Sequence, residues 1–215
     1  MLFKSMQNIV KKNSLLWGEE VAETYHAAAA RCMQENWDAI IFPLLQKHSI
    51  DYSDVVDFAC GYGRNTDMLL NHARSITMVD VNEHNLDYCR NKYADHQSVS
   101  IVGCNGYTLE ELSENRFSFF YTFDSVVHFP PEIVRSYLPE MHRVLKNGGY
   151  AFVHHSNYTA GGKDKDFRKN PHWRNYMSAE LFADYAKGAG FNVIEQSLID
   201  WEVVNLDCCT ILQKP

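Results

Sequence analysis

The sequence contains no Cys-x-x-C and no Cys-x-x-H pair. Tetrahedral zinc sites are usually assembled from such pairs, so no metal centre is expected. The six cysteines, at 32, 60, 89, 104, 208 and 209, read instead as reduced core thiols. A chain of this size does not need a disulfide framework. Long apolar runs are also lacking. The longest, Ala39 to Leu45, is interrupted by Pro43 and falls far short of a membrane span. The opening MLFKSMQNIVKKN has neither the unbroken apolar region nor the small-residue cleavage site of a signal peptide. A soluble, cytoplasmic protein with no membrane association is expected. Positive charge is scarce as well: 20 Lys and Arg stand against 27 Asp and Glu, a net charge of −7 with His neutral. Only Lys11-Lys12 and the Lys163 to Lys169 stretch are locally basic, which argues against a nucleic-acid partner.

What is present is core-forming material, 46% hydrophobic and 13% aromatic over 215 residues. At roughly 150 residues per domain this allows one structural domain, which divides into a helical cap (1–50) and a main body (51–215). The stretch from Trp17 to His48 is helix-like, with Glu19-Glu20 near its start and the good helix formers Ala27 to Ala30 inside it. Beyond Ser53, strand and helix patterns alternate. Strands are expected at Val55–Ala59, Ile76–Val81, Val99–Cys104, Phe117–Phe123, Tyr150–His155, Val193–Ile199 and Cys208–Gln213. Helices are expected at Arg64–Ala73, Glu83–Tyr93, Pro131–Leu145 and Ser178–Ala189, with Asn147-Gly148-Gly149 closing the third. Such alternation implies an α/β fold, a doubly wound and mostly parallel sheet. The last two strands, joined by Asp200 to Asp207, read as an antiparallel hairpin on its edge. One connection, Ser156 to Met177, is too long to be an ordinary turn and carries Tyr158, Phe167, Trp173 and Tyr176. It is expected to be a substrate lid.

The segment Asp57-Phe58-Ala59-Cys60-Gly61-Tyr62-Gly63-Arg64-Asn65-Thr66 runs from a buried strand through Gly-x-Gly into a helix. In a doubly wound sheet that turn faces the ligand crevice. Seventeen residues after Gly63, Asp80 ends the second strand, where a carboxylate can accept both hydroxyls of a ribose. Thr66 replaces the third glycine of a dinucleotide fingerprint, and Asp57 stands four residues before the first. That carboxylate would gain nothing from a pyrophosphate but suits a ligand carrying an ammonium group.

Together these residues resemble the class I S-adenosylmethionine-dependent methyltransferases, from about Trp17 to the C-terminus. Cys104-Asn105-Gly106 resembles the family's adenine-contact position, and Phe123-Asp124-Ser125-Val126-Val127-His128 the segment beside the transferable methyl. Leu145-Lys146-Asn147-Gly148-Gly149 resembles its turn before the fifth strand, with Asn147 where proline is usual. The resemblance implies a Rossmann-like seven-stranded sheet and S-adenosyl-L-methionine as cofactor. The cofactor would be held by Asp57, Ala59, Gly61, Gly63, Asn65, Asp80, Val81, Asn105, Gly106, Tyr107 and Phe123, with Trp17 and Tyr25 of the cap covering it.

Methyl transfer to an alcohol requires alignment, exclusion of water and removal of a proton. Histidine is the usual base. His128 follows the fourth strand and His154-His155 end the fifth, both on the ligand side. Strand alternation lets only one of the pair face the site, and His155, nearer the mouth, is the one expected there. The catalytic candidates are therefore His128, His155 and Asp124. Asn157, Tyr158, Arg168, His172, Trp173 and Arg174 are candidate substrate contacts, the arginines being suited to a phosphate or carboxylate. The lid also resembles that of small bacterial methyltransferases acting on sugars or polysaccharides. The expected partner is thus a small-molecule acceptor, the enzyme a monomer or homodimer, and the reaction O-methylation. N-methylation of a small amine, a catalytically inactive cofactor-binding module and a nicotinamide-dependent oxidoreductase are the competing readings.

Overall fold

The structure is a computed structural model and describes residues 6–11, 26–160, 162 and 166–215. Seven strands form one sheet: β1 (Val55–Phe58), β2 (Ile76–Asp80), β3 (Val99–Gly103), β4 (Phe117–Thr122), β5 (Leu145–Ser156), β6 (Asn192–Trp201) and β7 (Val203–Gln213). Their order is β3-β2-β1-β4-β5-β7-β6. The pairs among β1 to β5 are all parallel, whereas β7 runs antiparallel to both β5 and β6. Strand order reverses between β1 and β4, so the chain leaves their carboxyl ends toward opposite sides and opens a crevice there.

Strand β4 (Phe-Ser-Phe-Phe-Tyr-Thr) is buried along its whole length, as expected of a central strand covered on both faces. Val56, Phe58, Phe120, Ala151 and Val153 point to one face, where helices Pro131–Val144 and Ala179–Gly188 cover them. Val55, Phe119, Tyr121, Phe152 and Ile211 point to the other. They meet Met33, Trp37, Ile41 and Leu45 of the N-terminal helical residues and Leu69 and Cys89 of helices Arg64–Leu69 and Glu83–Lys92. In the N-terminal stretch a π-turn, Trp37–Ile41, precedes Pro43, with the Phe42 N–H reaching back to Trp37 O. Proline has no N–H to continue the ordinary ladder, and the wider turn accommodates it.

Two expected boundaries are corrected. Helix Pro131–Val144 ends with Leu145 already extended (φ −72°, ψ 145°), so Asn147-Gly148-Gly149 lies inside β5 and does not cap the helix. The glycines serve the sheet: Gly148, at φ 79°, donates to Lys214 O at 2.8 Å, and Lys214 N–H donates to Gly149 O at 2.9 Å. The final hairpin is also tighter than the Asp200 to Asp207 connection expected. Pairing continues to Trp201 and Val203, leaving Glu202 at the tip in the left-handed region (φ 57°). Asp200 Oδ1 accepts the Asn205 N–H at 2.8 Å and braces the turn. The long connection after β5 folds back on itself. Tyr158 and Tyr176 form a parallel bridge at its base, with 3₁₀ turns Phe167–Lys169 and Pro171–Trp173 between them. No helix among the described residues is long and apolar enough to cross a membrane.

Candidate active site

At the carboxyl ends of β1 and β4 lies a cleft enclosing about 1110 Å³ of empty space, its open mouth included. Its floor is the glycine turn. Ala59, Gly61 and Gly63 all have positive φ (55°, 53° and 78°). Ala59 is the unusual member, because left-handed backbone normally requires glycine. The turn is sewn to the end of β2: Cys60 N–H donates to Val79 O (3.1 Å) and Gly61 N–H to Asp80 Oδ2 (2.9 Å). Asn82 N–H occupies Asp80 Oδ1 at 2.8 Å, so the carboxylate is aimed by backbone donors. Burial raises the Asp80 pKa, against the lowering effect of these bonds.

Asp57 sits inside β1, fully buried. Its Oδ2 accepts from Thr66 Oγ1 at 2.6 Å, while Oδ1 has no partner among the described residues. Burial pushes this carboxyl up to about 7. Over Gly61 lies the His26 ring, stacked on Tyr62 with centroids 4.0 Å apart, and Tyr62 in turn stacks on Tyr88 at the same distance. A Cβ on Gly61 would come within 2.7 Å of His26. On the far wall Gly106 (φ 89°) packs so closely under Val10 that a side chain there would collide with it.

The opposite rim is charged. Asp124 follows β4 at φ 58°. Its Oδ2 accepts from Arg64 Nη2 at 2.8 Å, and Arg174 Nη2 lies 3.6 Å from Oδ1. Burial would raise this carboxyl, but the two guanidiniums outweigh burial and hold it well below the usual carboxylate range. His128, 8% exposed, has Nδ1 at 2.9 Å from Trp173 O. A carbonyl only accepts, so Nδ1 carries the proton and Nε2 is the unprotonated nitrogen. Burial, followed by the nearby Arg174, lowers the His128 pKa to about 4.

Of the expected cofactor residues, Ala59, Gly61, Asn65, Asp80, Val81 and Gly106 line the cleft. Asp57, within β1, and Gly63, at the end of the turn, do not line it. Asn105 is turned away: its Oδ1 caps its own loop, accepting the Tyr107 and Thr108 N–H groups at 3.0 and 2.8 Å. Tyr107 meets Gln7 instead of the cleft. Phe123 is a core residue, stacked on Phe152 and His154. Trp17 and Tyr25 lie outside the described residues.

The expectation for His155 is corrected. Its ring is fully buried on the face shared by Ala151 and Val153, stacked on Phe182 at 3.8 Å. Its nitrogens meet Ser156 O and Thr210 Oγ1, at 2.9 and 2.8 Å. His154 is the member that turns toward the rim, its Nδ1 accepting the Asp124 N–H at 3.1 Å.

None of the six expected substrate contacts lines the cleft. Asn157 braces the Asn205 and Ala179 backbone, Tyr158 pairs with Tyr176, and Arg168 is held by Asp166. His172 faces Glu202, Trp173 contributes its carbonyl to His128, and Arg174 is buried against Asp207. Among the cleft residues not chosen as candidates from the sequence are Arg64, His26, Val10 and Phe167. Arg64 had a positional signal, standing first after the glycine turn, and His26 stood beside a residue that was chosen.

An adenosine-bearing amino acid suits this arrangement. A buried carboxylate aimed by backbone N–H groups stands at the β2 end, a side-chain-free cradle lies beside it, and Asp57 keeps an unpartnered buried oxygen.

Comparison with known proteins agrees. Residues 55–149 match a family described as a methyltransferase domain. No curated protein matches the sequence. Among solved structures, one similar to this chain is the complex between the Trm112 methyltransferase activator of Haloferax volcanii and a putative methyltransferase (TM-score 0.67, 15% identity, 92% of this chain and 99% of that one). Another is an S-adenosylmethionine-dependent methyltransferase from Methanosarcina mazei (TM-score 0.64, 15% identity, 80% and 97%). A protein from Pyrococcus horikoshii is similar over 92% of this chain and 93% of its own (TM-score 0.65, 18% identity). These likenesses establish the fold, and the matched methyltransferase domain spans the strands and turns that build the cleft.

Proposed function

We propose that this chain is a class I S-adenosylmethionine-dependent methyltransferase, which transfers the methyl group to a hydroxyl of a small molecule with His128 as general base. The observation that carries this reading is the His128–Trp173 hydrogen bond, which leaves Nε2 as the unprotonated nitrogen of a ring that lines the cleft. When bound, S-adenosylmethionine supplies an electrophilic methyl on a sulfonium. Asp80 would accept the ribose hydroxyls, and Val81, Cys104 and Gly106 would flank the adenine. Asp57 would take the ammonium through its unpartnered oxygen, directly or by way of water. His128 receives the proton of the acceptor hydroxyl as the bond to carbon forms, a contribution of about 10²–10⁴ in rate.

Asp124 is a poor competitor for that role, because Arg64 and Arg174 keep it ionised and occupied. The same pairing weakens an amine reading, since the carboxylate that would attract an ammonium acceptor is already neutralised. A sugar or sugar conjugate remains the acceptor class to test first. Phe129, Pro130 and Phe167 line the cleft beside His128 and offer flat apolar surfaces for a ring face. The lid arginines lend this no support, being engaged by Asp166 and Asp207.

Calorimetry with S-adenosylhomocysteine should give one site per chain, and Asp80→Ala should weaken it by about tenfold or more, the loss of charged hydrogen bonds. No binding to the wild type would remove the proposed cofactor contacts. A mass-spectrometric screen of sugars, sugar conjugates and small amines then identifies the acceptor. His128→Ala should lower kcat about 10²-fold or more while leaving cofactor affinity intact. Full turnover in that variant would exclude His128 as the base.

A further inference from the structure

Behind the rim lies a chain of buried charges that the proposed chemistry does not itself use. Arg174, 2% exposed, comes from the connection after β5, and Asp207, fully buried, from β7. The pair is bidentate: Arg174 Nε lies 2.9 Å from Asp207 Oδ1 and Nη2 lies 2.7 Å from Oδ2. His154 Nδ1 accepts the Asp124 N–H, so its Nε2 carries the proton; that nitrogen is 3.2 Å from Asp207 Oδ2 but outside hydrogen-bond alignment.

The residues just before Arg174 are strained. His172 and Trp173 both adopt left-handed backbone (φ 46° and 55°) although neither is glycine. Such residues persist only when their surroundings over-determine them. Those surroundings are visible. Arg174 Nη1 donates to His172 O at 3.2 Å, and Asn170 Nδ2 donates to Arg174 O at 2.8 Å. Asn175 N–H donates to Val127 O (2.9 Å) and Asn175 Nδ2 to His128 O (3.2 Å). The outcome of the strained turn is one carbonyl, Trp173 O, set against His128 Nδ1.

We infer that Arg174 and Asp207 are positioning residues: their buried ion pair holds the His172-Trp173 turn in place so that Trp173 O fixes the orientation and tautomer of His128. The inference rests on the reading of His128 as base. Among the groups facing His128 are Asp124 and Arg174, with Asp207 behind them. Neither Arg174 nor Asp207 lines the cleft, so both act through the backbone of Trp173. A merely structural ion pair would support the fold without dictating which imidazole nitrogen bears the proton.

The test is long-range ¹H–¹⁵N correlation NMR on the histidines of the free full-length protein at neutral pH. Wild-type His128 is expected neutral, with Nδ1 protonated and Nε2 bare. A ring protonated on Nε2, or charged, in the wild type overturns the inference whether or not any variant folds. In Arg174→Lys and Asp207→Asn, His128 should lose that single tautomer and populate the Nε2-protonated form. A folded variant, by far-ultraviolet circular dichroism, that keeps the wild-type His128 signals also overturns it. With an acceptor in hand, Arg174→Lys should lower kcat by about 10²-fold, the cost of a small misplacement, while the KM for S-adenosylmethionine stays constant. The same change made in His128→Ala should cost nothing further, and an additive loss counts against the clamp. Should His128→Ala alone retain full turnover, the base assignment fails, and the tautomer measurement still judges the clamp on its own.

Discussion

Asp57 is the residue whose chemistry changes most between the free protein and the complex proposed above. Burial raises it to about 7, so the free protein holds it partly protonated near neutrality. A folded-state pKa above the unfolded value means its contribution to stability is complete in acid and is lost as pH rises through about 7. A cofactor ammonium reverses that preference by stabilising the carboxylate. S-adenosylhomocysteine should therefore bind more weakly as pH falls below about 7, and binding near that pH should release protons. Calorimetry in two buffers of different ionisation enthalpy reads the proton count directly. Asp57→Asn should abolish the release, and an equal release from wild type and variant would mean that Asp57 does not meet the ammonium.

Residues such as Asp57, Gly61 and Asp80 were legible because each is tied to a strand end by local order: strand, turn, helix, strand. His155 was not. Distance along β5 suggested the mouth, but the face is set by the sheet, which sends Ala151, Val153 and His155 to one side and leaves His154 beside Asp124. The arginines of the connection after β5 misled for a related reason. Composition shows the positive charge but not the carboxylates, Asp166 and Asp207, that fold against it.

At the scale of elements, the start of helix Arg64–Leu69 shows how tightly the glycine turn is built. Gly63 is its N-cap at φ 78°. A Cβ there would run into the Tyr93 hydroxyl, with Met78 Cε at 2.9 Å. Tyr93 cannot readily yield, because its hydroxyl donates to Gly63 O and approaches Asp67 Oδ1, each at 2.7 Å. Gly63→Ala thus combines a left-handed alanine, about 1–2 kcal/mol, with a collision. A fall in melting temperature of at least ~4 °C is expected for a chain of this length. Scanning calorimetry checks it, and the same change in a Tyr93→Phe background should cost less, since the colliding hydroxyl is gone. Equal costs in both backgrounds would mean that the strain is purely backbone. Short β-branched and aromatic runs located all seven strands, yet they began β5 at Tyr150 and β7 at Cys208, where the strands start at Leu145 and Val203. The start of β5 is set by long-range pairing, Phe117 with Leu145 and Gly148 with Lys214, which no local window contains.

For the molecule as a whole, the net charge of −7 conceals a core in which charges are matched. Arg64 and Arg174 face Asp124 and Asp207, all of them buried or nearly so. Buried ion pairs contribute little net stability against apolar substitutes, although breaking one is costly. Acid should therefore act on the fold through groups that are buried neutral as well as through these pairs, and His155 isolates one such group. Its ring is enclosed by Phe182, Ser156 and Thr210, and burial lowers its pKa to about 3. Below the ordinary imidazole value the unfolded chain takes up a proton that the folded chain refuses. Stability from this residue is thus present at neutral pH and declines as pH falls from about 6.5 toward about 3. Other groups pull the opposite way over the same range, since Asp57 and Asp80 favour their protonated forms when folded. The total acid profile consequently mixes signs, and a difference between two proteins removes the mixture. His155→Gln keeps a polar side chain near Thr210 but cannot titrate. At pH 7 the variant should be the less stable protein, having lost the Phe182 stack. As pH falls to about 4 the gap in melting temperature should narrow, because only the wild type then gives up its histidine contribution. A gap that stays constant between those pH values would show that His155 takes up its proton equally in the folded and unfolded states.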